Sequence, residues 1–511
     1  MGEFSYSKEI LKRFKKPKYY GEIKNPDGFG KAGNPNCLLP EEKVHKNSEA
    51  IEISKLEKNQ RILTHLGGYE EITSKFSRKY KGETIILKNK LGKLNLTPEH
   101  LIYAISVPKK IKFNMNKNKK KLIPAWYHAE QLKKRDIILY PKLKKEKDIK
   151  HMKINISKSK WDFKSKKIPN KIPLNSELLK LFGYFLSEGN IQDKPCKTYI
   201  SFSLNIKEND IVEDIKIISK KLFGLDVKID ERPKNKTIIV FLYNAQLARW
   251  FKSLFGNGAC YKKIPDFIMN LPKQKQKSLI FGLWKGDGYV NLNRKGPRAG
   301  YATISYQLAH QIKTLLLRQN IVPSIYEEKE KESNGIKHKK AYRIHVGQRD
   351  SLKRLCNILE TKYNPKGYET INSWFDENYL YTPITDKHIK SYNGKVFNIE
   401  VKNIHSFVSE SFCLHNCGDM LYLYLRIGKN KKGEFIKDIK FKTLGCPAAI
   451  AVSDMVCELA KGKTIKEAKK ITNKLIADKL KKLPTIKYHC SLLGEEALRN
   501  AIKDYEKKKS L

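Results

Sequence analysis

The alternation of apolar and polar positions along the chain predicts regions of different character. The first 16 residues have an apolar face at helical spacing, and residues 37–140 consist of short strand patterns separated by turn residues. From residue 174 to about 375, helical and strand patterns alternate. The final region predicts a strand pair and then three helices, at residues 420–427, 435–443, 446–460, 464–483 and 492–508.

Three further patterns refine the middle of the chain. Residues 142–171 are dense in lysine and predict a connector, and residues 396–401 and 406–409 predict a short closing β segment. Two apolar, glycine-containing helices end in an acid followed by glycine, at Glu188 and Asp287, 99 residues apart. This similarity predicts a weak internal repeat.

Length and composition limit the possible architectures. A chain of 511 residues is too long for one compact domain and predicts roughly three or four, and a hydrophobic fraction of 40% is sufficient for packed cores. There is no run of about 18 apolar residues, and the N-terminus has no apolar signal core. We therefore expect no membrane partner and a cytoplasmic location.

Charge and cysteine content indicate the kind of chemistry. The net charge is +50, and residues 37–416 carry an excess of 35 positive charges. Such an excess attracts polyanions because phosphate contacts release counterions, although solvated faces of a lysine-rich protein would also account for it. Nine cysteines in a cytoplasmic chain favour metal or nucleophile chemistry over disulfides.

Short motifs in a fixed order mark both ends of the middle region. It begins at Cys37 and ends in Leu414-His415-Asn416 before a cysteine, with a T-x-x-H block at 97–100 and the stretch VFNIEVKNIHSFVSESFCLHN near its end. This order resembles the intein family, whose Hint-type domain splices itself out of a host protein. The resemblance assigns splicing roles to Cys37, Thr97, His100, His405, His415, Asn416 and Cys417.

The first half of the implied reaction explains why a cysteine is needed at position 37. The Cys37 thiol attacks its own upstream carbonyl and converts the Asn36–Cys37 amide into a thioester. The resemblance implies that His100 supplies a proton to the departing amine and that Thr97 holds the geometry.

The second half releases the other end. Cys417 attacks the thioester and takes over residues 1–36, and the side-chain amide of Asn416 then cyclises onto its own carbonyl. His415 and His405 are the implied proton donors, and no cofactor is required because proximity does most of the work. The chain has Asn398 where the family often has Asp, which leaves the coupling of the steps open. Cys413 is a core thiol or a redox modulator.

The two repeated helices carry a second resemblance. LLKLFGYFLSEGN (178–190) and SLIFGLWKGDGYVN (278–291) resemble the paired motifs of LAGLIDADG homing endonucleases. Small residues four apart would let the helices cross closely, and each helix would deliver one carboxylate, Glu188 or Asp287, to hold Mg²⁺. Lys263 matches a lysine that the family places near its active site. The β-rich stretches 199–243 and 300–346 would form a basic saddle on double-stranded DNA.

The two ends of the chain carry a third resemblance when they are joined. Gly33-Asn34-Pro35-Asn36 followed by Cys417-Gly418-Asp419 resembles the G-x-P-x-C-G-D motif of IscU/NifU iron–sulfur scaffolds. The family implies a cysteine desulfurase and cluster-acceptor apoproteins as partners, and Cys457 is expected to be structural. The ligands implied for a transient [2Fe–2S] cluster, or for Zn, are Cys417, Asp419, Cys446, Cys490 and His489.

Together these patterns predict a multidomain chain. Its parts are an all-β Hint (intein) splicing domain, an α/β LAGLIDADG endonuclease inserted in it, and a small α+β IscU/NifU-like scaffold split across the two termini. An alternative is a single stable DNA-processing nuclease with an intrinsic Fe–S or zinc site and no splicing. The predicted bounds are 1–36 and 417–511 for the scaffold, 37–416 for the intein, 37–165 and 385–416 for its Hint parts, and 172–380 for the endonuclease.

Overall fold

The computed structural model divides the chain into two compact units. The terminal unit comprises Met1–Cys37, Asn398–Glu400 and Asn416–Leu511, and the central unit comprises Leu38–Phe397 and Val401–His415. The residues described are 7–33, 37–107, 123–156, 165–194, 197–292, 296–333, 336–364, 372–416, 420–430, 433–444, 447–481, 483 and 488–510.

The terminal unit is one three-stranded antiparallel sheet with helices packed on it. The strand from the N-terminal segment lies at one edge and pairs with the first strand after the middle region, Gly28 opposite Leu425. The elements are α1 (Lys8–Lys15), β1 (Gly28–Ala32), β27 (Met420–Asn430), β28 (Gly433–Leu444), α9 (Pro447–Ala460), α10 (Ile465–Ala468), α11 (Asn473–Lys479) and α12 (Tyr488–Lys509).

Buried polar contacts attach the N-terminal segment to the rest of this unit. The Arg13 guanidinium on α1 donates to the Asp454 carboxylate on α9 at 2.8 Å, and Asp454 is 1% exposed. The same carboxylate accepts the backbone N–H groups of Lys18 and Tyr19 at 2.7 and 3.0 Å. Gly30 on β1 allows close approach to α12, because a Cβ there would lie 2.0 Å from the Ala497 carbonyl oxygen.

The predicted strand pair of this unit is confirmed and one predicted helix is wrong. β27 and β28 form an antiparallel hairpin, with Met420 opposite Leu444. The single helix expected over 464–483 is two short helices, α10 and α11. Thr464 forms a capping box with Glu467, and Thr472 accepts from the Leu475 N–H, so each threonine starts a separate helix.

The β-rich part of the central unit is built from two antiparallel sheets. One has the order β24-β5-β4-β2-β3 with β6 on β5, and the other has β22-β23-β9-β7-β26-β25 with β8 on β7. The strands are β2 (Lys43–Lys46), β3 (Glu49–Glu52), β4 (Arg61–Leu63), β5 (Tyr69–Asn89), β6 (Gly92–Leu96), β7 (Leu101–Ile105), β8 (Ala125–His128), β9 (Ile137–Pro141), β22 (Trp374–Phe375), β23 (Tyr379–Pro383), β24 (Asp386–Val401), β25 (Ser406–Val408) and β26 (Cys413–His415).

The remaining part of the central unit is α/β. Its elements are β10 (His151–Lys153), β11 (Lys171–Pro173), α2 (Ser176–Glu188), β12 (Gly189–Lys194), β13 (Lys197–Asn205), α3 (Asn209–Phe223), β14 (Lys228–Arg232), β15 (Thr237–Leu242), α4 (Ala245–Phe255), α5 (Asp266–Met269), α6 (Lys273–Asp287), β16 (Gly288–Asn291), β17 (Arg298–Thr303), α7 (Tyr306–Arg318), β18 (Ser324–Glu328), β19 (Lys331–Ser333), β20 (Ile336–His338), β21 (Ala341–Val346) and α8 (Arg349–Ile358).

The α/β part contains the predicted internal repeat. Each half starts with a helix and continues into a four-stranded antiparallel sheet, with the orders β12-β13-β15-β14 and β16-β17-β21-β18. The β19-β20 hairpin is an addition in the second half. The third strand in the order of the second sheet is therefore β21, which corresponds to β15 of the first sheet. The acid–glycine pairs lie at equivalent places, where α2 runs into β12 and α6 runs into β16.

Two of the predicted domain bounds need correction. The endonuclease was expected to extend to residue 380, but β22 and β23 lie in the sheet of β9, with Leu380 opposite Tyr140. At the other end, β10 pairs with β11, and Ile154 and Ile168 lie in the same hydrophobic core as α2 and α6. Residues from about 151 onward therefore pack with the α/β part and not with the preceding strands.

Among the residues described, none of the helices has the length and apolarity needed to cross a bilayer.

Candidate active sites

The backbone after Cys37 is fixed by two neighbouring segments of the central unit. Leu38 bridges to Leu96 on one side and to Phe397 on the other. Leu38 and Phe397 exchange both backbone N–H···O bonds at 2.8 Å. Cys37 itself is 1% exposed. Leu38, which follows the predicted nucleophile, is thus paired like a strand residue with Leu96, and Leu96 directly precedes the T-x-x-H block.

The T-x-x-H block forms a buried turn. The His100 N–H donates to the Thr97 carbonyl at 3.1 Å, and both side chains are buried. The His100 ring lies edge-on to Phe407, with 6.2 Å between centroids. Because the turn follows β6 and leads directly into β7, it places His100 at the start of that strand.

The C-terminal motif lies on the strand next to β7. β26 pairs with β7, Leu414 opposite Ile102, and with β25, Ser406 opposite His415. This antiparallel register places His415 opposite the residue that follows His100. His415 is buried and lies edge-on to Trp126, with 5.0 Å between ring centroids.

Four further residues of the motif have distinct environments. His405 lies in the turn before β25 and has a left-handed backbone with a φ of 50°. Asn403, two residues earlier, has a φ of 62°. Asn416 is 5% exposed, and its side-chain amide has no hydrogen-bond partner among the described residues. Asn398 is buried, and its side-chain oxygen accepts from the Ile399 N–H at 2.8 Å. Cys413 is fully buried, which raises the pKa of its thiol well above the usual value. That environment favours the core interpretation of Cys413 over the redox one.

Sequence inspection missed one histidine in this region. His65 lies beside the strands of the motif: its Nδ1 is 2.6 Å from the Ser406 hydroxyl, and its ring is 5.4 Å from that of Trp126. Burial, reinforced by Lys144, lowers the pKa of His65 to about 4, so the ring is neutral at physiological pH. Its flanking sequence offers no periodic signal that separates it from an ordinary turn residue.

The helices of the acid–glycine motifs cross at near backbone contact. A Cβ on Gly183 would lie 2.7 Å from the Gly282 Cα, and a Cβ on Gly286 would lie 2.5 Å from the Ser187 Cβ. The Ser187 hydroxyl also donates across the crossing to the Leu283 carbonyl at 2.9 Å. The crossing therefore depends on the small residues that the sequence placed four apart.

The acid at the end of α6 acts electrostatically on the acid at the end of α2. Burial, followed by the charge of Asp287, raises the pKa of Glu188 to about 7. Burial also raises the pKa of Asp287, while the charge of Lys262 and a hydrogen bond with Tyr301 act in the opposite direction. The Glu188 side chain is half-buried and Asp287 is exposed. The two carboxylates repel each other when both are ionised, and a divalent cation would relieve the repulsion. The donor set therefore fits a hard cation such as Mg²⁺, held by Glu188 and Asp287.

The lysine beside these acids is Lys262, not the predicted Lys263. The Lys262 ammonium is buried and donates to the Ser187 carbonyl at 2.8 Å; burial lowers its pKa to about 8, against the opposing effect of both acids. Lys263 is half exposed and pairs with Glu49 at 3.0 Å. The two lysines are adjacent in sequence and follow a short turn, so no periodicity indicates which of them points inward.

Basic and aromatic side chains are exposed on or directly beside the strands of the two four-stranded sheets. Lys228 and Arg232 on β14 are exposed, and Arg343 on β21 has a half-exposed side chain. Tyr243 and Tyr326 are more than half exposed. Such faces are typical of backbone binding to nucleic acid.

Most of the predicted cluster ligands in the terminal unit fall outside the described part of the chain. Cys417, Asp419 and Cys446 lie outside the described residues, as does the side chain of His489. Cys490 is buried in the first turn of α12. Cys457 is fully buried on α9, which raises its thiol pKa well above the usual value, as expected of a structural cysteine. No group of three metal-binding side chains occurs within the part of the chain that the structure describes.

Family models match two regions of the chain. The NifU-like N-terminal domain matches residues 402–511, and the LAGLIDADG-like domain matches residues 274–360. The chain therefore combines a NifU-like domain with a LAGLIDADG-like domain.

Individual relatives agree with this combination. The chain is 48% identical over 93 residues to the iron–sulfur cluster assembly scaffold protein IscU of Rickettsia prowazekii, which covers 18% of this chain and 68% of that protein. It is 29% identical over 469 residues to an uncharacterized protein of Methanocaldococcus jannaschii, which covers 85% of this chain and 57% of that protein. In its C-terminal region the chain belongs to the IscU/NifU family of iron–sulfur cluster assembly scaffolds.

Two solved structures are similar to parts of the chain. Mesophilic variants of the homing endonuclease I-DmoI match 37% of this chain and 99% of theirs, at 14% identity and a TM-score of 0.29. The gp41-1 intein matches 21% of this chain and 70% of its own, at 18% identity and a TM-score of 0.16. Both TM-scores are too low to establish a shared overall fold.

Proposed function

We propose that the chain is a precursor that splices itself, releasing residues 37–416 and joining residues 1–36 to 417–511. The observation that carries this proposal is that the terminal unit is built from both ends of the chain. Its single sheet pairs β1, which precedes Cys37, with β27, which follows Asn416, and Arg13 forms a buried ion pair with Asp454 across the same interruption. Among the described residues, none of the 380-residue segment 37–416 lies in that sheet.

The chemistry follows from the residues at the two boundaries. The Cys37 sulfur forms a bond to the Asn36 carbonyl carbon while the C–N bond to Cys37 breaks, and the amine takes a proton, for which His100 is the proposed donor. Pairing of Leu38 on both sides supports this step because it fixes the departing amine. Thr97 closes the turn that carries His100.

The later steps use the C-terminal motif. The Cys417 thiol takes the acyl group from Cys37, and the Asn416 side-chain nitrogen then attacks its own carbonyl carbon, forming a succinimide and releasing the Cys417 amine. His415, at the end of β26, and His405 are the proposed proton donors. A final shift of the acyl group from sulfur to nitrogen gives an ordinary Asn36–Cys417 peptide bond.

The steps can be separated with an added thiol. In the Asn416→Ala chain the thioester still forms, so dithiothreitol should release residues 1–36. In the Cys37→Ala chain the first thioester cannot form, and the thiol should release nothing. Equal behaviour of the two variants on a denaturing gel would contradict the proposed order of steps.

We propose further that the α/β part cuts double-stranded DNA at the uninterrupted scaffold gene. Glu188 and Asp287 would hold divalent metal, which would activate water for attack on one phosphate per strand. Lys262 would neutralise charge beside them, and the basic sheet faces would bind the DNA backbone.

This second activity has a direct assay. Purified protein with Mg²⁺ should cut a duplex that spans the joined Asn36 and Cys417 codons, and should leave intact a duplex in which the intervening segment separates those codons. An uncut joined duplex would count against the activity.

The joined product is proposed to assemble a transient [2Fe–2S] cluster, or to hold Zn, on Cys417, Asp419, Cys446 and Cys490, with His489 as an alternative ligand. A cysteine desulfurase and cluster-accepting apoproteins are the proposed partners. In reconstitution with iron and sulfide, Cys490→Ser should lose the visible absorbance of the cluster. The matched variant Cys457→Ala, which changes a buried thiol on α9, should keep it; loss in both variants would remove the distinction.

A further inference from the structure

One helix of the α/β part is buried and forms polar contacts with the β-rich part. The helix is α7, Tyr306–Arg318, and its residues from Leu308 onward are all buried. Its apolar side chains join the α/β core, including Leu308, Ile312 and Leu315. Its polar side chains are buried as well, which is costly unless they meet partners in another part of the unit.

Those partners lie on strands and turns near the start of the splicing region. The Gln307 side chain accepts from the Ala50 N–H at 3.2 Å and donates to the Ala50 carbonyl at 3.0 Å. The His45 ring lies 4.3 Å from the His310 ring and 3.4 Å from the Thr314 hydroxyl. The helix is therefore joined to β2 and β3 along its length.

The most consequential contact is at Lys313. This side chain is fully buried, and its ammonium donates to the backbone carbonyl of Glu410. Burial lowers the pKa of Lys313 to about 8, while the Glu410 carboxylate acts to raise it. Glu410 is also held by its backbone, because its N–H donates to the Lys43 carbonyl at 3.1 Å.

Glu410 lies in the turn that connects β25 to β26. The turn closes on itself, since the Ser409 N–H donates to the Phe412 carbonyl at 2.8 Å and the Ser409 hydroxyl accepts from the Phe412 N–H at 3.0 Å. The strand that leaves this turn, β26, ends in His415, and Asn416 follows. A shift of this turn would therefore displace the residues of the last splicing step.

We propose that Lys313, which belongs to the α/β part, positions the turn that presents His415 and Asn416, so that asparagine cyclisation requires the α/β part even when no DNA is cut. This inference rests on the proposed splicing function. Lys313 is a positioning residue: it acts through the Glu410 carbonyl and does not touch the reacting atoms.

The test compares two steps in one variant. Lys313→Met keeps the length of the side chain and removes the donor, which leaves the half-buried Glu410 carbonyl without its ammonium partner. Release of the C-terminal segment, measured on gels after synthesis, should slow by about tenfold or more. Thiol-dependent release of residues 1–36 in the Asn416→Ala background should stay within about twofold of the parent, since Cys37 and His100 are not attached to this turn.

A matched control uses another lysine of the α/β part. The Lys275 ammonium donates to the Ile149 carbonyl at 2.9 Å and to Asp148, away from the Glu410 turn. Lys275→Met should splice at the parental rate. DNA cleavage by Lys313→Met, at the parental rate, would verify that the α/β part is folded.

The possible results are decisive. Parental splicing by Lys313→Met would overturn the inference and leave the splicing proposal intact. Equal slowing of both steps, or loss of DNA cleavage, would show a general folding defect and would also overturn it. If the parental chain does not splice, the proposed function fails and the inference falls with it.

Discussion

The terminal and central units differ in how the chain is distributed between them. The terminal unit takes its sheet and its buried ion pair from both ends of the chain. The central unit uses residues 38–415 with only Asn398–Glu400 assigned elsewhere. The middle segment therefore folds around its own cores, whereas each end of the chain is incomplete without the other. That asymmetry is what a removable insertion requires.

Replacement of the two acids at the helix ends should have the greatest effect, because it should abolish DNA cleavage and leave splicing intact. Replacing both acids, Glu188→Gln with Asp287→Asn, removes the charge that would hold the metal, so cleavage of the joined duplex should fall by about a thousandfold or more. Splicing should be unchanged. Glu213→Gln, which alters an exposed acid on α3, should retain full cleavage. Residual cleavage near the parental rate in the double variant would exclude these acids as the metal site.

The next effect tests whether the two ends depend on each other. Arg13→Met leaves the buried Asp454 carboxylate without its cation and should destabilise the terminal unit by about 3 kcal/mol or more. Urea unfolding of the Cys37→Ala chain, which stays unspliced, would measure this. Lys442→Met breaks an exposed pair with Glu22 and should leave the urea midpoint nearly unchanged, because water screens such a pair. Equal effects would show that the N-terminal segment is not anchored at Asp454.

The helix crossing of the central unit gives a smaller effect. A methyl group on Gly183 would collide with backbone on α6, so Gly183→Ala should cost about 1–3 kcal/mol and weaken DNA cleavage. Gly296→Ala, where a Cβ meets nothing within 4 Å, is the matched control. Unchanged stability of Gly183→Ala would mean that the helices tolerate a wider separation than the structure shows.

The last effect, which is absent at neutral pH, is a dependence of stability on pH in the central unit. Burial, followed by the charge of Lys313, lowers the pKa of His45 to about 3, against an unfolded value near 6.5. The ring is neutral in both states above pH 6.5, so its contribution is complete there. Between pH 6.5 and about 3 only the unfolded state is protonated, and stability falls by up to about 1.4 kcal/mol per pH unit. His45→Gln should flatten this acid limb in thermal melts; an unchanged slope would show that His45 is protonated when folded.

Local patterns in the sequence were sufficient for several elements. The hairpin of β27 and β28 and the apolar helix α9 follow from strand alternation and helical spacing within short windows. The close helix crossing follows from small residues four apart, because only they permit backbone contact. The β-rich and α/β character of the two parts of the central unit follows in the same way.

Features that depend on distant partners could not be predicted. The inward position of Lys262 is decided by packing against Ser187, 75 residues away, and not by its own neighbours. The return of β22 and β23 to the sheet of β9 depends on pairing across more than 200 residues. Lys313 has no motif at all: its role is visible only because α7 places it against the Glu410 turn.

Splicing as proposed converts the newly synthesised chain into two separate polypeptides. Intact mass spectrometry of the protein, expressed alone and purified under reducing conditions, tests this most directly. The account predicts one product of residues 37–416 and one whose peptide map contains Asn36 joined to Cys417. A single polypeptide with the mass of all 511 residues, correctly folded, would contradict it and would favour one permanent DNA-processing protein with a metal site.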